Sequence, residues 1–386
     1  MGRRAAGDSD LSVTRAPVLA LGHTNPSGTL CSGPVFYQRM LQTAGPPLVT
    51  LVVAMRNEAA SIERCLASIA AQDHPPGFLE VLVYDGESDD GSAALAEAFA
   101  AGREGWSVRP NPRRIQAAGW NAGIAAARGD LVGIVSGHAE LAPSYVSAAV
   151  AALERTGADM VGGPVHAIGE GAVGEAIATA TSTLFGVGGA RHHYVVEAEE
   201  VDTVFMGLCR RETYLRFQFN ESMARNQDDE LSYRLLDAGG RIVCDPAIQS
   251  VYRNRSSFTG LWVQYFDYGR WKVLVLRAHP GQVRPRHLVP VVLVTTLAAG
   301  AALAPISRTV RTLLIAELGL YAAATGAAAA WYGSGRPPRA AALLAAVYPV
   351  LHLSYGMGML RGFWQFRGQR RGMPTGVAAQ ESETER

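Results

Sequence analysis

Three groups of residues in this 386-residue sequence have the types and spacing that could do chemistry. The first is the string Asp85-Gly86-Glu87-Ser88-Asp89-Asp90-Gly91. A carboxylate in such a turn can accept hydrogen bonds from a nucleobase imide or a ribose hydroxyl, and the glycines let the backbone approach a ligand. An ordinary solvated acidic turn has the same composition. The second is Asn226 to Arg234 (NQDDELSYR), where Asp228, Asp229 and Glu230 crowd the start of a helical pattern. Acids there suit the positive end of a helix, and Glu230 and Arg234 read as an ion pair one turn apart. The third is basic: Arg113 and Arg114, then Arg253, Arg255, Arg284 and Arg286. Guanidinium groups of this kind suit phosphates, and those nearest the apolar C-terminal third suit lipid headgroups equally well.

Such side chains need a frame, and the apolar pattern supplies one. Leu48 to Met55 (LVTLVVAM) is a continuous, β-branched run of strand length, which suits a strand buried on both faces. Asn57 and Glu58 follow it, and then Ile62, Cys65, Leu66 and Ile69 at helical spacing. Leu79 to Tyr84 predicts a second strand, Ser92 to Ala101 a second helix and Trp106 to Arg109 a third strand. Gln116 to Ala127 predicts a helix of small residues, and Leu131 to Val135 a fourth strand. This rhythm predicts a doubly wound α/β domain whose ligands lie beyond the carboxyl ends of the strands. Further helices are expected over Ser144 to Arg155, Glu212 to Phe217 and Asp228 to Ala238, the last stopped by Gly239-Gly240.

The C-terminal third changes character. Leu288 to Ser307, Thr312 to Gly335 and Ala340 to Leu360 carry a single acid between them, Glu317, and each is near the ~20 residues that span a bilayer. The second run, mostly Ala and Gly, also fits a re-entrant or interfacial segment. Arginines flank every run, most densely at Arg361, Arg367, Arg370 and Arg371, which argues for a cytoplasmic C-terminus. Three crossings do not reconcile that end with a cytoplasmic main domain, so the topology stays open. The expected organisation is a loose arm over 1–46, an α/β domain over 47–287, membrane helices over 288–362 and a polar tail over 363–386. The net charge of +1 gives no overall field for nucleic acid. Cys31, Cys65, Cys209 and Cys244 form no CxxC pair and read as free thiols.

From VTLVVAMRNE through YDGESDDG the chain resembles the opening of family 2 glycosyltransferases with the GT-A fold. Within that family it is similar to the membrane-attached enzymes of succinoglycan-type exopolysaccharide synthesis, from Leu48 to about Pro290. The resemblance implies a GT-A, Rossmann-like nucleotide-diphospho-sugar transferase domain followed by transmembrane helices. It also implies an inverting transfer from a nucleotide-sugar, a UDP-sugar first, to a glycan or lipid-linked acceptor at the cytoplasmic membrane, with the catalytic domain facing the cytoplasm. Carried over by position, Asp85 contacts the base, Ser88 and Asp90 sit nearby, and Asn57 and Glu58 line the same pocket. Arg113 or Arg114 meets the base or phosphates. Asp228 is the general base, with Asp229 as its rival and Gln227 standing where the family has Glu. Gln264 to Lys272 (QYFDYGRWK) resembles a lengthened Q-x-x-R-W element, in which Arg270 meets the diphosphate and Gln264 and Trp271 meet the acceptor.

One departure from the family pattern is chemical. Where a D-x-D or D-x-H should grip Mn²⁺ or Mg²⁺, this chain reads Ser136-Gly137-His138, with Glu140 two residues on. His138 then stands as the metal ligand, and a lone imidazole prefers softer cations than magnesium. The same departure supports a competing expectation, a catalytically impaired homologue that binds nucleotide-sugar and serves as a membrane partner of another transferase.

Overall fold

The computed structural model describes residues 45–75 and 77–368. In chain order these form β1 (Val49–Met55), α1 (Ile62–Ala70), β2 (Leu79–Asp85), α2 (Ser92–Ala100), β3 (Trp106–Pro110), α3 (Gln116–Ala126) and β4 (Leu131–Ser136). There follow β5 (Ala139–Leu141), α4 (Tyr145–Thr156), β6 (Met160–Gly163), β7 (Val165–Ile168), α5 (Gly171–Thr181), α6 (Leu184–Val187) and β8 (Glu199–Glu200). The remainder are β9 (Phe205–Arg210), α7 (Arg211–Phe217), α8 (Gln227–Asp237), β10 (Ile242–Cys244), β11 (Ser250–Arg253), α9 (Phe258–Ala278), α10 (Pro285–Leu303), α11 (Arg308–Tyr332) and α12 (Pro338–Gln365).

The apolar run of β1 is continuous because both of its faces are covered. Val49, Leu51, Val53 and Met55 join one core with Ile62, Cys65, Leu66 and Ile69 of α1. Val52 and Ala54 join the other with Trp120 and Ile124 of α3. The small residues of α3 let it lie close to the sheet: a Cβ on Gly123 would fall 2.1 Å from Val52 Cγ1.

An eight-stranded sheet runs β3-β2-β1-β4-β9-β6-β10-β8. Its first four strands are parallel, and β9 and β8 run against their neighbours. A second sheet, β5-β11-β7, was not legible in the sequence, because its strands are three or four residues long. Register matters most for function. Met55 pairs with Asp85, and Ala54 with Ser136, so β1, β2 and β4 end at one level. The segments after Met55, Asp85 and Ser136 therefore leave the sheet along one edge, where ligands of parallel sheets collect.

Helix α9 carries the Gln264–Lys272 segment and was also not expected as a helix. It packs on α12 through glycines. A Cβ on Gly269 would lie 2.1 Å from Tyr355 O, one on Gly358 2.0 Å from Phe266 O, and one on Gly362 2.4 Å from Arg270 O. Small residues four apart on a helix allow this backbone approach. Helices α10, α11 and α12 are each long and apolar enough to cross a membrane. Leu313, Ile315 and Leu320 of α11 stand outward and exposed. The expected boundaries at 287/288 and 362/363 fall inside α10 and α12. Residues 1–44 of the expected arm and most of the expected tail, with Cys31, Arg370 and Arg371, lie outside the described residues. Cys65, Cys209 and Cys244 are buried free thiols.

Forcing a branched side chain into the α9–α12 contact should cost about 1–3 kcal/mol, the usual range for overpacking. Gly358→Val should lower the thermal unfolding midpoint, whereas Gly319→Val, at a position in α11 with no atom near the added Cβ, should leave it unchanged. Equal melting of the two variants would remove the close contact as a source of stability.

Candidate active site

A cavity of about 1920 Å³ opens at the carboxyl edge of β1 and β4. That is roughly twice the upper size of an ordinary small-ligand pocket. Its near end is polar, with Asn57, Glu58, Ser136, His138, Asp228 and Asp229. Its far end lies between the C-terminal helices, against Val289, Leu293, Tyr321, Trp331 and Leu351.

The acidic turn after β2 builds the near end from behind. Ser88 Oγ accepts from Asn57 N (2.9 Å), Asn57 Oδ1 from Asp89 N (3.1 Å), Asp90 Oδ2 from Ala59 N (3.0 Å) and Ser92 Oγ from Glu58 N (2.7 Å). Asp85 accepts from Ser88 N and Ser88 Oγ, at 3.0 and 2.5 Å. Four bonds thus clamp the β1–α1 loop. Asn57 is held at φ 55°, a left-handed conformation uncommon outside glycine. Arg114, Met206 and Asn226 also have positive φ and also line the cavity. Backbone strain of this kind persists only where the surroundings enforce it, and it gathers at functional sites.

His138 follows β4. Its Nδ1 lies 2.8 Å from Glu58 Oε1, and its ring meets the Tyr252 ring edge-on at 5.5 Å. Burial pushes the Glu58 carboxyl up, but the His138 hydrogen bond and charge, with help from Ser61 and Arg255, hold it below its usual range. A carboxylate on one imidazole nitrogen orients the other toward a ligand. Glu140 is turned away, bonded to Arg253 Nε (2.9 Å) and Arg64 Nε (3.3 Å), and does not line the cavity. Among the described residues no three His, Cys, Asp or Glu side chains come together as a metal cage. This donor set fits a cation shared with a ligand's diphosphate and does not fit one held by protein alone.

Helix α8 presents Asp228 and Asp229 at its first turn. Gln227 turns back, its Nε2 donating to Met223 O at 2.9 Å, and Glu230 is buried in its expected pair with Arg234 (2.7 Å). Lys272 of α9 forms an ion pair with Asp229. Burial raises the Asp229 carboxyl, but Lys272, then His192 and Arg286, bring it below the ordinary value. Asp228 has no ion-pair partner among the described residues, and the charge of Lys272 lowers it only in part. Burial, and then the charge of Asp229, push it up to about 6. Two adjacent carboxylates thus take different protonation behaviour from one lysine, and the one without a counter-ion has the character of a general base.

The family model for glycosyl transferase family 2 matches residues 50–212. The chain carries a family 2 glycosyltransferase domain. It is 29% identical over 320 residues to succinoglycan biosynthesis protein ExoA of Rhizobium meliloti, covering 82% of this chain and 95% of that protein. It is 26% identical over 238 residues to the dolichyl N-acetyl-alpha-D-glucosaminyl phosphate 3-beta-D-2,3-diacetamido-2,3-dideoxy-beta-D-glucuronosyltransferase of Methanococcus voltae, covering 59% of this chain and 74% of that protein. Among solved structures, the mannosyltransferase PcManGT from Pyrobaculum calidifontis, in complex with GDP-Man and Mn²⁺, matches with a TM-score of 0.58 at 19% identity, over 86% of this chain and 95% of that one. The fold is the GT-A-like α/β arrangement expected from the sequence.

Within the transferase domain the expected site residues separate into two sets. Asn57, Glu58, Arg114, His138, Asp228 and Gln264 line the cavity. Gln264 Nε2 donates to the hydroxyls of Tyr252 and Tyr268, both at 2.9 Å, and Arg114 Nε rests on Glu87 at 2.6 Å. Asp85, Ser88 and Asp90 stand behind the wall and hold the loop in front of them. Arg113 pairs with Glu221 instead of facing the cavity. Arg270 and Trp271 are corrected by the course of α9. Past Tyr268 the helix sinks between α8 and α12, so Trp271 packs on Phe366, Met359 and Met223, and Arg270 pairs with Asp267 at 3.2 Å. The lysine beside Trp271 is the residue that reaches the carboxylates. Arg56, Arg225 and Arg255 also line the cavity with no carboxylate partner among the described residues. Nothing in the sequence separates Arg56 or Arg225 from other surface arginines.

Removing Lys272 strands a buried carboxylate, a change that costs about 3–5 kcal/mol. Lys272→Met should therefore melt well below the parent, and Asp229→Asn combined with Lys272→Met should recover part of the loss. A double variant no more stable than Lys272→Met would show that the pair is not what holds α8 to α9.

Proposed function

We propose that this protein is an inverting glycosyltransferase that moves a sugar from a nucleotide-diphosphate sugar, a UDP-sugar first, to a hydroxyl of a glycan or lipid-linked acceptor at the membrane, with the transferase domain facing the cytoplasm. The observation that carries this reading is that Asp228, His138 and the clamped β1–α1 loop face one cavity, which continues between the apolar helices. The acceptor oxygen attacks the anomeric carbon as Asp228 takes its proton. The bond from that carbon to the diphosphate oxygen breaks, and the nucleoside diphosphate leaves with the electron pair. One base and in-line attack give inversion without a covalent sugar intermediate.

The β1–α1 loop, backed by Asp85, holds the nucleoside, and Arg114 can exchange Glu87 for a ligand phosphate. Arg56, Arg225 and Arg255 supply positive charge for the diphosphate, which the substitution of Ser136 for a carboxylate leaves less crowded by acids. A divalent cation, when bound, neutralises charge on the departing diphosphate. His138, oriented by Glu58, is the protein atom set to hold it. The PcManGT structure is in complex with GDP-Man and Mn²⁺, a cation whose hard oxygen ligands would here come mainly from the diphosphate and water, with His138 as the one imidazole.

A second reading is favoured by one observation, the lack of an acidic metal cage around Ser136 and His138 among the described residues. On it, the protein binds nucleotide-sugar without turnover and serves as a membrane partner of another transferase.

The full-length protein in bilayers, supplied with UDP-, GDP- and dTDP-sugars, should release nucleoside diphosphate. Asp228→Asn should lower kcat by about 10²–10⁴, the worth of a positioned base, with nucleotide affinity kept. Because the Asp228 carboxyl is raised to about 6, its basic form is lost below that pH, so kcat should fall as pH drops through 6. Glu58→Gln should raise the Mn²⁺ concentration for half-maximal rate by about 10–100-fold, as loss of a ligand's supporting carboxylate does elsewhere. Tight nucleotide binding with no release under any cation would favour the partner reading and end the enzymatic one.

A further inference from the structure

The segment linking α6 to β8 forms a wall of the cavity that none of the roles above uses. Its central turn, Arg191–His193, places the imidazoles of His192 and His193 on the cavity lining. Their ring centroids are 4.4 Å apart, with the planes tilted by 39°. Nδ1 of each ring is buried and has no hydrogen-bond partner among the described residues. Buried polar atoms are rarely left so, and each such atom needs a reason.

The neighbours of the pair are all engaged. Arg191 is bonded to Glu199 at 2.6 and 2.7 Å, Tyr194 Oη donates to Gly188 O at 2.8 Å, and Arg286 Nη1 donates to Gly189 O at 2.8 Å while pairing with Asp202. The turn is therefore pinned on both sides, and with each Nδ1 sealed the ring nitrogen left to meet a ligand is Nε2. Burial pushes His192 down to about 4 and His193 lower than usual, with nearby Arg286 adding to the effect, so both rings are neutral near pH 7. A neutral imidazole carries one donor and one acceptor and an apolar face. Two of them together make a poor phosphate site, and no metal cage forms around them among the described residues. They suit a neutral ligand with many hydroxyls and with C–H faces, which is a sugar ring.

Asp229 is close enough for its charge to act on both imidazoles, and Asp228 is its neighbour on α8. We propose that His192 and His193 bind the acceptor's terminal sugar and set its hydroxyl against Asp228, an assignment that rests on Asp228 being the base of the proposed transfer. They act as positioning and specificity residues through hydrogen bonds from Nε2, the ring nitrogen that is not sealed inside the protein, and ring contacts with the sugar face.

The test uses the full-length protein in phosphatidylcholine nanodiscs, with octyl β-D-glucopyranoside and octyl β-D-galactopyranoside as probes. Saturation-transfer NMR reads the sugar-ring protons, and calorimetry on the same samples reads UDP and GDP binding. The parent should saturate ring protons of at least one probe. His192→Ala and His193→Ala should each weaken that binding by about tenfold or more, the scale set by losing one good hydrogen bond in a buried site. His192→Gln, which keeps a polar atom near the position of Nε2, should recover part of it, and nucleotide binding should be unchanged throughout. The assignment is overturned by a parent that gives no saturable ring signal, by alanine variants that bind the probes as the parent does, or by a parallel loss of nucleotide binding. A parent that binds the probes through these histidines but binds neither nucleotide would sustain the sugar site and sink the nucleotide-sugar reading instead.

Discussion

The contact between Asp229 and Lys272 does two things at once, and the remainder of the site depends on both. It ties α8, which opens with the two carboxylates, to α9, which is locked to α12 by backbone contact at Gly269, Gly358 and Gly362. It also breaks the equivalence of two adjacent acids. Both are buried enough to resist ionisation, yet only Asp229 is paired directly with Lys272, so at Asp228 burial and a negative neighbour outweigh the lowering from the Asp229 N–H and the Lys272 charge. A charge placed inside protein is tolerated when it is paired, and the pair is then a rigid strut because neither partner can leave without exposing the other. The protonation behaviour of the proposed base and its position relative to the C-terminal helices thus have one physical origin.

Charge balance accounts for the opposite side of the cavity. Ser136 takes no part in binding a cation by charge, and Glu140 is neutralised by two arginines. What remains near the ends of β1 and β4 is one imidazole held by Glu58, while Arg56, Arg225 and Arg255 line the same cavity without an ion-pair partner among the described residues. On the proposed reading, a site with fewer acids repels a diphosphate less, so part of the task usually given to a cation passes to fixed guanidinium groups. Preorganised charge of this kind acts without reorganisation when the leaving group departs.

The parallel core was legible because burial on both faces writes itself into sequence as an unbroken apolar run, and β1, β2 and β4 carry such runs. The helix starting at Gln227 was legible from its acids and its glycine stop. Chemistry at the acidic turn was harder to read, since a carboxylate that caps a backbone N–H and one that meets a ligand are the same letter. Ser88 and Asp90 turn out to carry the loop and not to face the cavity. The segment Gln264–Lys272 failed for a geometric reason. Without the knowledge that α9 dives between α8 and α12, Arg270 and Trp271 look like the polar and aromatic residues of a site, and Lys272 looks incidental. His192 and His193 had no periodic or motif context at all, because their position depends on a turn pinned by residues far along the chain.

The shape of the cavity joins these parts into one argument about the membrane. Leu313, Ile315, Leu320 and Trp331 are more than half exposed, on helices long enough to span a bilayer. Leaving one large apolar side chain in water in place of an apolar medium costs about 1.5–3 kcal/mol, so several of them together demand a covering phase, and a bilayer is the one that fits their length and composition. Trp331 belongs to that outward set and also to the cavity lining, as do Val289 and Leu293 of the neighbouring helix to the far wall. The cavity is therefore apolar beside Val289, Leu293 and Trp331 and polar around Asp228 and the ends of β1 and β4. A molecule with a hydroxyl-rich head and an apolar body can satisfy both ends only in one orientation, with its head at Asp228. On the proposed reading, the gradient along the cavity does part of the positioning that a deep sugar pocket does in a soluble transferase.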